Sequence, residues 1–281
     1  MTRCLVALDV DGTLVDETNE LFGGAMDLVR GVPSFVDFAL CSARPLWSLV
    51  AIAEKLGNVS YIAALQGAVV AVRDGRSTDY PSGAGAKWRT VYQRCFTKEE
   101  LRDICSAARA SRFDIWAFGS EKWCVEAYTS LVRREQFYTG RKPAIVRSIM
   151  GGKFYKIVVV VGSRGASSIV ERLAKKRVRH SISKGNYIEI VSRKASRYKG
   201  LDVLAGMSAN KGSIIAAVGD SGNDIGMLEF ADVSFTFASS HPSIKNRCNV
   251  VLPDPSGEGL VMLRRIISQW GVGGEGENVT S

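Results

Sequence analysis

The run Cys4-Leu5-Val6-Ala7-Leu8, followed at once by Asp9-Val10-Asp11-Gly12-Thr13, constrains this chain more than any other stretch. Five apolar residues make a strand and are too few for a helix. Gly12 and Thr13 suit a sharp turn where the strand ends. Two carboxylates two residues apart, at the exit of a buried strand, are costly unless a metal or a positive group neutralises them. Asp and Gly also cluster in ordinary turns, so the pair by itself leaves a plain turn open.

The chain repeats the pattern. An apolar run over residues 35–41 ends at Ser42-Ala43-Arg44-Pro45, a hydroxyl and a guanidinium at a second strand exit. Pro45 suits the first turn of a helix over Leu46–Leu56, which Gly57 stops. A strand over residues 61–65 and Gln66-Gly67-Ala68 precede a hairpin segment that reaches Asp74-Gly75. After residue 200 the rhythm resumes. A helix over residues 201–208 leads to the strand Ile214–Val218, which ends at Gly219-Asp220-Ser221-Gly222-Asn223-Asp224. Strands at Val233–Phe237 and Val250–Leu252 and a helix over residues 259–270 follow. Strands alternating with helices predict an α/β fold, a Rossmann-like parallel sheet with helices on both faces.

Between these halves the rhythm differs. Residues 82–85 are Gly-rich and read as a linker, and Thr97-Lys98-Glu99-Glu100 reads as a capping box opening a helix to about Ala110. Short strands over residues 113–118, 123–127, 154–161, 179–183 and 187–191, with a helix near 166–176, predict an inserted α+β domain. The expected division is a core of residues 1–80 and 192–281 with an insert of 81–191. On the last of those strands Tyr187 and Glu189 share a face, which makes Glu189 a candidate substrate contact.

Composition narrows the function classes. Of 281 residues, 46% are hydrophobic and 23% charged, an ordinary globular balance, and the net charge of +9 points to anionic partners. The basic residues between 172 and 199 carry no nucleic-acid module spacing and read as a solvated face. Six scattered cysteines lack metal-site or disulfide spacing, and no apolar run spans a membrane. The expectation is a cytoplasmic protein without nucleic-acid or membrane partners. His180, His241 and the loop over residues 161–166 read as structural.

In an open parallel sheet, ligands bind beyond the carboxyl ends of the strands. Asp9 with Asp11, Ser42, Lys199, and Asp220 with Asn223 and Asp224 all fall at such ends or on a nearby helix. The kit contains hard oxygen donors suited to Mg²⁺, a hydroxyl and amide, and one positive charge.

With these motifs the sequence resembles the haloacid dehalogenase-like phosphohydrolases. Asp9-Val10-Asp11-Gly12-Thr13, Ser42, Lys199 and the segment Gly219 to Asp224 match the family's four motifs in order. The insert between the second and third is similar to the large α/β cap of the Cof-type subfamily. Ser42-Ala43-Arg44-Pro45 resembles its T-G-R-P, Gln66-Gly67-Ala68 its N-G-A, and Gly257-Glu258-Gly259-Leu260 its closing E-G-V. The resemblance implies a Mg²⁺-dependent phosphatase acting on a small phosphorylated metabolite, most naturally a sugar phosphate. It implies Asp9 as nucleophile forming an aspartyl-phosphate, Asp11 as acid and base, and Lys199 as the catalytic cation. Phosphate binding would fall to Ser42, Asn223, Gly12 and Thr13, with backbone N–H groups around Val10–Thr13 forming a nest. The implied metal set is Asp9, Asp11 through its backbone carbonyl, Asp220 and Asp224. Arg44 and Glu189 are candidate substrate contacts, and the protein would act as a monomer or homodimer.

Three departures stand out: Ala43 for a glycine, Gln66 for an asparagine, and Ala238-Ser239-Ser240 where the subfamily has G-N-A. Two other functions use similar parts. One is a phosphomutase resembling the phosphomannomutases, and the other is a silent sugar-phosphate-binding regulator.

Overall fold

A computed structural model describes residues 2–75, 87–162, 167–174, 176, 178–183, 187–207 and 209–270. The expected linker at 82–85, the connection at 184–186, most of the 161–166 loop and the tail from Gly271 lie outside the described residues.

The core is an eight-stranded sheet in the order β14 (Val250–Leu252), β13 (Val233–Phe237), β12 (Ile214–Val218), β1 (Cys4–Leu8), β2 (Val36–Cys41), β3 (Val59–Ala64), β4 (Val69–Arg73), β5 (Trp88–Gln93). From β14 to β3 the pairs are parallel, and β4 and β5 add an antiparallel edge. The strand β1 is buried along its whole length, as an uninterrupted apolar run requires. Alternate residues serve opposite faces. Val6, Leu8, Phe38 and Leu40 pack with α1 (Ala25–Arg30), α2 (Leu46–Leu56) and α9 (Gly259–Gln269). On the other face Leu5, Ala7, Ala39 and Cys41 pack with α6 (Arg197–Ala205), α7 (Ile225–Leu228) and α8 (Pro242–Lys245).

The insert forms its own six-stranded sheet, ordered β10 (Val178–Ser183), β11 (Tyr187–Ser192), β9 (Lys156–Val160), β6 (Asp114–Phe118), β7 (Trp123–Val125), β8 (Ala144–Ile145). One face, with Ile115, Ile157, Val159, Ile188 and Ile190, packs with residues of α3 (Lys98–Ala110) and α5 (Ser167–Ala174). Trp116, Phe118, Val158 and Val160 occupy the opposite face and join the core domain's hydrophobic cluster. The expected capping box closes α3: Glu100 N–H donates to Thr97 Oγ1 at 3.1 Å, and Thr97 N–H donates to Glu100 Oε2 at 2.7 Å. A further helix, α4 (Ser130–Thr139), has no counterpart in the sequence reading. It docks on α2, where Trp47 Nε1 donates to the Thr139 carbonyl at 2.8 Å.

Two expected boundaries move. The strand β5 pairs with β4 in the core sheet, so residues 88–93 belong to the core although 81–191 had been assigned to the insert. Edge exposure left β5 without the apolar signature of its neighbours. Helix α6 begins at Arg197 instead of residue 201, with the Ser196 hydroxyl capping it by accepting from Lys199 N–H at 3.0 Å.

The start of α6 is held against the β3–β4 turn by two glycines. Gly67 has φ of +75°, and any Cβ there would run into the carbonyl of Ser196; a Cβ at Gly200 would lie 2.8 Å from that of Ala63. Gly67→Ala should therefore destabilise the fold by roughly 1–3 kcal/mol, the usual cost of overpacking. Urea unfolding would register this as a lower midpoint with an unchanged slope.

Candidate active site

The parallel register brings the acidic groups together. Leu8 pairs with Val218 across β1 and β12, so Asp9 and Asp220 emerge from adjacent strand ends, where Asp9 N–H donates to the Val218 carbonyl at 2.9 Å. On the other side of β1, Leu8 pairs with Leu40, which delivers Ser42 two residues beyond. The site thus lies beside β1, where the chain order of the sheet reverses.

Asp9 and Asp224 are buried and share the guanidinium of Arg197, whose Nη1 donates to Asp9 Oδ1 and to Asp224 Oδ1. The other oxygen of Asp224 accepts from Ser221 Oγ at 2.8 Å and Ser221 N–H at 3.0 Å. Asp224 is therefore fully engaged. Asp220 differs, because its Oδ1 is buried with no hydrogen-bond partner among the described residues. Burial raises the pKa of Asp9 well above the ordinary carboxylate range, opposed by Arg197 and reinforced by Asp224, Asp11 and Asp220. Asp220 is pushed up to about 6, chiefly by burial and then by Asp224. Burial works against the charge on Arg197, but Asp224 and Asp9 outweigh it and hold the guanidinium more firmly protonated than usual.

Asp11 points outward, half exposed, and is gripped by Arg44. Nη2 donates to Asp11 Oδ1 at 2.7 Å and Nε to Oδ2 at 3.1 Å, while Nη1 donates to Asn19 Oδ1 at 2.5 Å. Arg44 was expected to contact substrate; here its partner is Asp11. Ser42 is buried, with its Oγ accepting from Arg44 N–H at 3.2 Å.

Two of the four amides in the Val10–Thr13 segment are used within the turn itself. Gly12 N–H donates to the Val15 carbonyl at 2.9 Å and Thr13 N–H to the Val10 carbonyl at 3.3 Å, so the turn uses both internally. Gly12 matters for another reason: a Cβ there would sit 2.6 Å from Asp220 Oδ2. Thr13 contributes a buried hydroxyl that has no partner among the described residues.

Lys199 is not brought to the site. Its ammonium pairs with Asp202 at 2.6 Å on the surface of α6, with the side chain 42% exposed. The correction is geometric: residues two apart on a helix point about 200° away from each other, so Arg197 and Lys199 cannot both face Asp9. The sequence reading began the helix at residue 201 and so missed Arg197. The signal that could have found it is Ser196, an N-cap residue immediately before a basic one.

A cavity of about 540 Å³ opens over these groups, bounded below by Asp9, Asp11 and Asp220 and above by the insert. Asn223 lies on its wall, as do Tyr187 and Glu189, in keeping with the shared face expected of that strand. The roof includes Glu135 and Tyr138 of the unanticipated α4, and Lys156 of β9.

The carboxylate cluster suits a divalent cation. Asp9, Asp220 and Asp224 offer oxygens within 4.8 Å of one another. These are three acids against one guanidinium, with one Asp220 oxygen unsatisfied. Hard oxygen donors with excess negative charge match Mg²⁺. With Asp224 engaged by Ser221 and Arg197, Asp9 and Asp220 are the better placed ligands.

The profile of the haloacid dehalogenase-like hydrolases matches residues 6–263. The chain belongs to this family. A phosphoglycolate phosphatase from Methanosarcina acetivorans is 26% identical over 260 residues, 91% of this chain and 92% of the relative. Among solved structures, a haloacid dehalogenase-like hydrolase from Bacteroides thetaiotaomicron superposes with a TM-score of 0.77 at 18% identity, covering 94% of this chain and 99% of that one. A sugar phosphatase of subclass IIB of the same superfamily gives 0.75 at 14% identity, covering 96% and 100%. The haloacid dehalogenase-like fold and the class expected from the sequence, a phosphoric monoester hydrolase, both stand.

The Asp220 shift has a measurable consequence. Its carboxyl titrates near 3.8 ordinarily and near 6 in the folded, metal-free protein, so folding favours the protonated form. That contribution to stability is present below about pH 4 and is lost as pH rises through 6. Cation binding requires the ionised form and reverses the loss. The rise in Tm on adding Mg²⁺ should therefore be small at pH 5 and clearly larger at pH 7.5. An equal rise at both would argue against Asp220 as a ligand.

Proposed function

We propose that the protein is a Mg²⁺-dependent phosphatase that hydrolyses a small phosphorylated metabolite, best a sugar phosphate, through an aspartyl-phosphate. The observation that carries this reading is Asp9: a buried carboxylate paired with Arg197, beside Asp220, at the floor of a roofed cavity. A carboxylate so enclosed is shielded from bulk water, and its charge is held by Arg197.

In this mechanism a carboxylate oxygen of Asp9 attacks phosphorus in line, and the bond to the leaving oxygen breaks. Asp11 donates a proton to that oxygen, then takes one from the water that cleaves the acyl phosphate. Arg44 fixes the orientation of Asp11 through its paired hydrogen bonds. The hydroxyls of Ser42 and Thr13 and the amide of Asn223 bind phosphoryl oxygens. Arg197, in place of Lys199, balances the charge of Asp9 and favours its ionised form against the effect of burial. Asp9, Asp220 and the Asp11 carbonyl would hold Mg²⁺, which would supply positive charge beside the transferring group. Acceleration of phosphate-monoester hydrolysis can approach ~10²¹, whereas acid–base help contributes about 10²–10⁴. Positioning and electrostatics must supply most of the effect.

The leaving-group half of the cavity supports a polyhydroxylated substrate. Trp116 and Tyr187, with ring centroids 5.4 Å apart, offer aromatic surface, and Tyr138, Ser181 and Glu135 offer hydroxyls and a carboxylate. A cavity of about 540 Å³ holds a small molecule and excludes a macromolecule. The kinship with a phosphoglycolate phosphatase and with a subclass IIB sugar phosphatase supports the same chemistry. A cytoplasmic monomer or homodimer fits this role, and no helix among the described residues is long and apolar enough to cross a membrane.

Phosphate release should be measured across phosphorylated sugars, amino sugars and small phosphoesters, with and without Mg²⁺. Release that needs Mg²⁺, lost in Asp9→Asn and slowed by about 10²–10⁴ in Asp11→Asn, is the expected result. Phosphate retained on sugar, with dependence on a bisphosphate, would indicate a mutase instead. Arg197→Ala should lose far more activity than Lys199→Ala, and the reverse order would return the catalytic cation to Lys199.

A further inference from the structure

A buried chain of hydrogen bonds and ion pairs crosses from the catalytic core into the cap. It begins at Asp9, which pairs with Arg197. Arg197 Nε donates to Gln66 Oε1 at 3.1 Å, and Gln66 Nε2 donates to Glu189 Oε2 at 3.0 Å. The other oxygen of Glu189 lies 3.6 Å from Lys156 Nζ, which in turn donates at 2.9 Å to the carbonyl of Ala43. Ala43 sits between Ser42 and Arg44, so the chain leaves the core beside the nucleophile and returns to it beside the phosphate-binding hydroxyl. Gln66, Arg197 and Lys156 are all buried.

Three features mark Gln66 as a built element. It follows Leu65 in a turn where both residues have positive φ, +53° and +59°. Left-handed backbone at two successive non-glycine residues persists only where its surroundings over-determine it. Its carboxamide is read at both ends, with the oxygen facing a donor that is always charged and the NH₂ facing a carboxylate, so only one orientation serves. Gln66 is also absent from the wall of the cavity above Asp9 and lines a neighbouring cavity that shares Arg197, Glu189 and Asn223 with it.

We propose that Gln66 and Glu189 are positioning residues that set Arg197 against Asp9 and make that setting depend on the cap being seated on the core. Glu189 belongs to the cap strand β11, whereas Gln66 and Arg197 belong to the core. When the cap lifts, Gln66 loses Glu189, and the guanidinium loses the brace that fixes its approach to Asp9. The nucleophile is then fully supported only when the site is roofed. Glu189, expected from the sequence to contact substrate, acts in this account through Arg197.

The role of Arg197 rests on the phosphatase reading, and the test separates the two. Gln66→Glu sets two carboxylates face to face, and Glu189→Gln leaves a single carbonyl oxygen to serve both Gln66 and Lys156. The double variant Gln66→Glu/Glu189→Gln restores an alternating order of donors and acceptors from Arg197 to Lys156. With a small aryl phosphate and Mg²⁺, each single variant should lower kcat by about tenfold with KM little changed, and the double should recover to within about threefold of wild type, the non-additivity expected of one network. In parallel, NMR should find solvent exchange of the Arg197 Nε–H faster in each single variant and slowed again in the double. Losses that multiply in the double, or single variants indistinguishable from wild type in both measurements, would overturn the proposal. Should wild type release no phosphate from any ester, the phosphatase reading fails, and the exchange rates alone decide whether the chain positions Arg197.

Discussion

Burying carboxylates at the end of a sheet is the constraint from which the rest of this site follows. Asp9 and Asp224 are almost wholly removed from solvent, and each is held by the one guanidinium of Arg197. Removing one partner from such an arrangement typically costs about 3–5 kcal/mol, because the other charge is stranded. Asp220 sits beside them with an unsatisfied oxygen. The cluster is thus an assembly of acids and one arginine whose remaining negative charge and unsatisfied Asp220 oxygen suit a divalent cation.

The position of Arg197 depends in turn on backbone packing. Gly67 and Gly200 bring the β3–β4 turn and helix α6 within a distance that no side chain permits. The same turn projects Gln66 onto Arg197. Close packing at one point therefore sets both the cation and the amide that braces it. The cap adds its own supports, with Trp47 and Ser48 of the core donating to carbonyls of Thr139 and Tyr138, and Lys156 of the cap donating to Ala43. The two domains share a hydrophobic cluster as well as this polar seam.

Much of this was legible beforehand. The apolar run at Cys4–Leu8, the carboxylates behind it and the Asp220 loop pointed to a parallel sheet with a site at its carboxyl edge, and Asp9, Ser42 and Asp220 follow the ends of adjacent strands. The capping box at Thr97 was visible because capping is a local hydrogen-bond pattern. Other features were not local. The strand β5 is an exposed edge without an apolar pattern, so only its pairing with β4 assigns it to the core. Helix α4 has a weak apolar face and buries only Val132 and Thr139, yet it supplies part of the cavity roof. The amides of Gly12 and Thr13 looked free in sequence and are used inside their own turn.

The sequence by itself determined the α/β class, the inserted domain and the acidic residues at the strand ends, because strand period, turn chemistry and motif order are properties of neighbouring residues. Tertiary structure decided which cation faces Asp9. Lys199 carried the motif match, but the phase of a helix beginning at Ser196 turns Arg197 toward Asp9 and Lys199 toward Asp202. It also decided the work of Glu189 and Gln66, which lie 123 positions apart and meet only because the cap folds back over the core. Pattern along a chain reports burial and turns; which side chain faces which depends on helix phase and domain docking, and these arise only when the whole chain packs.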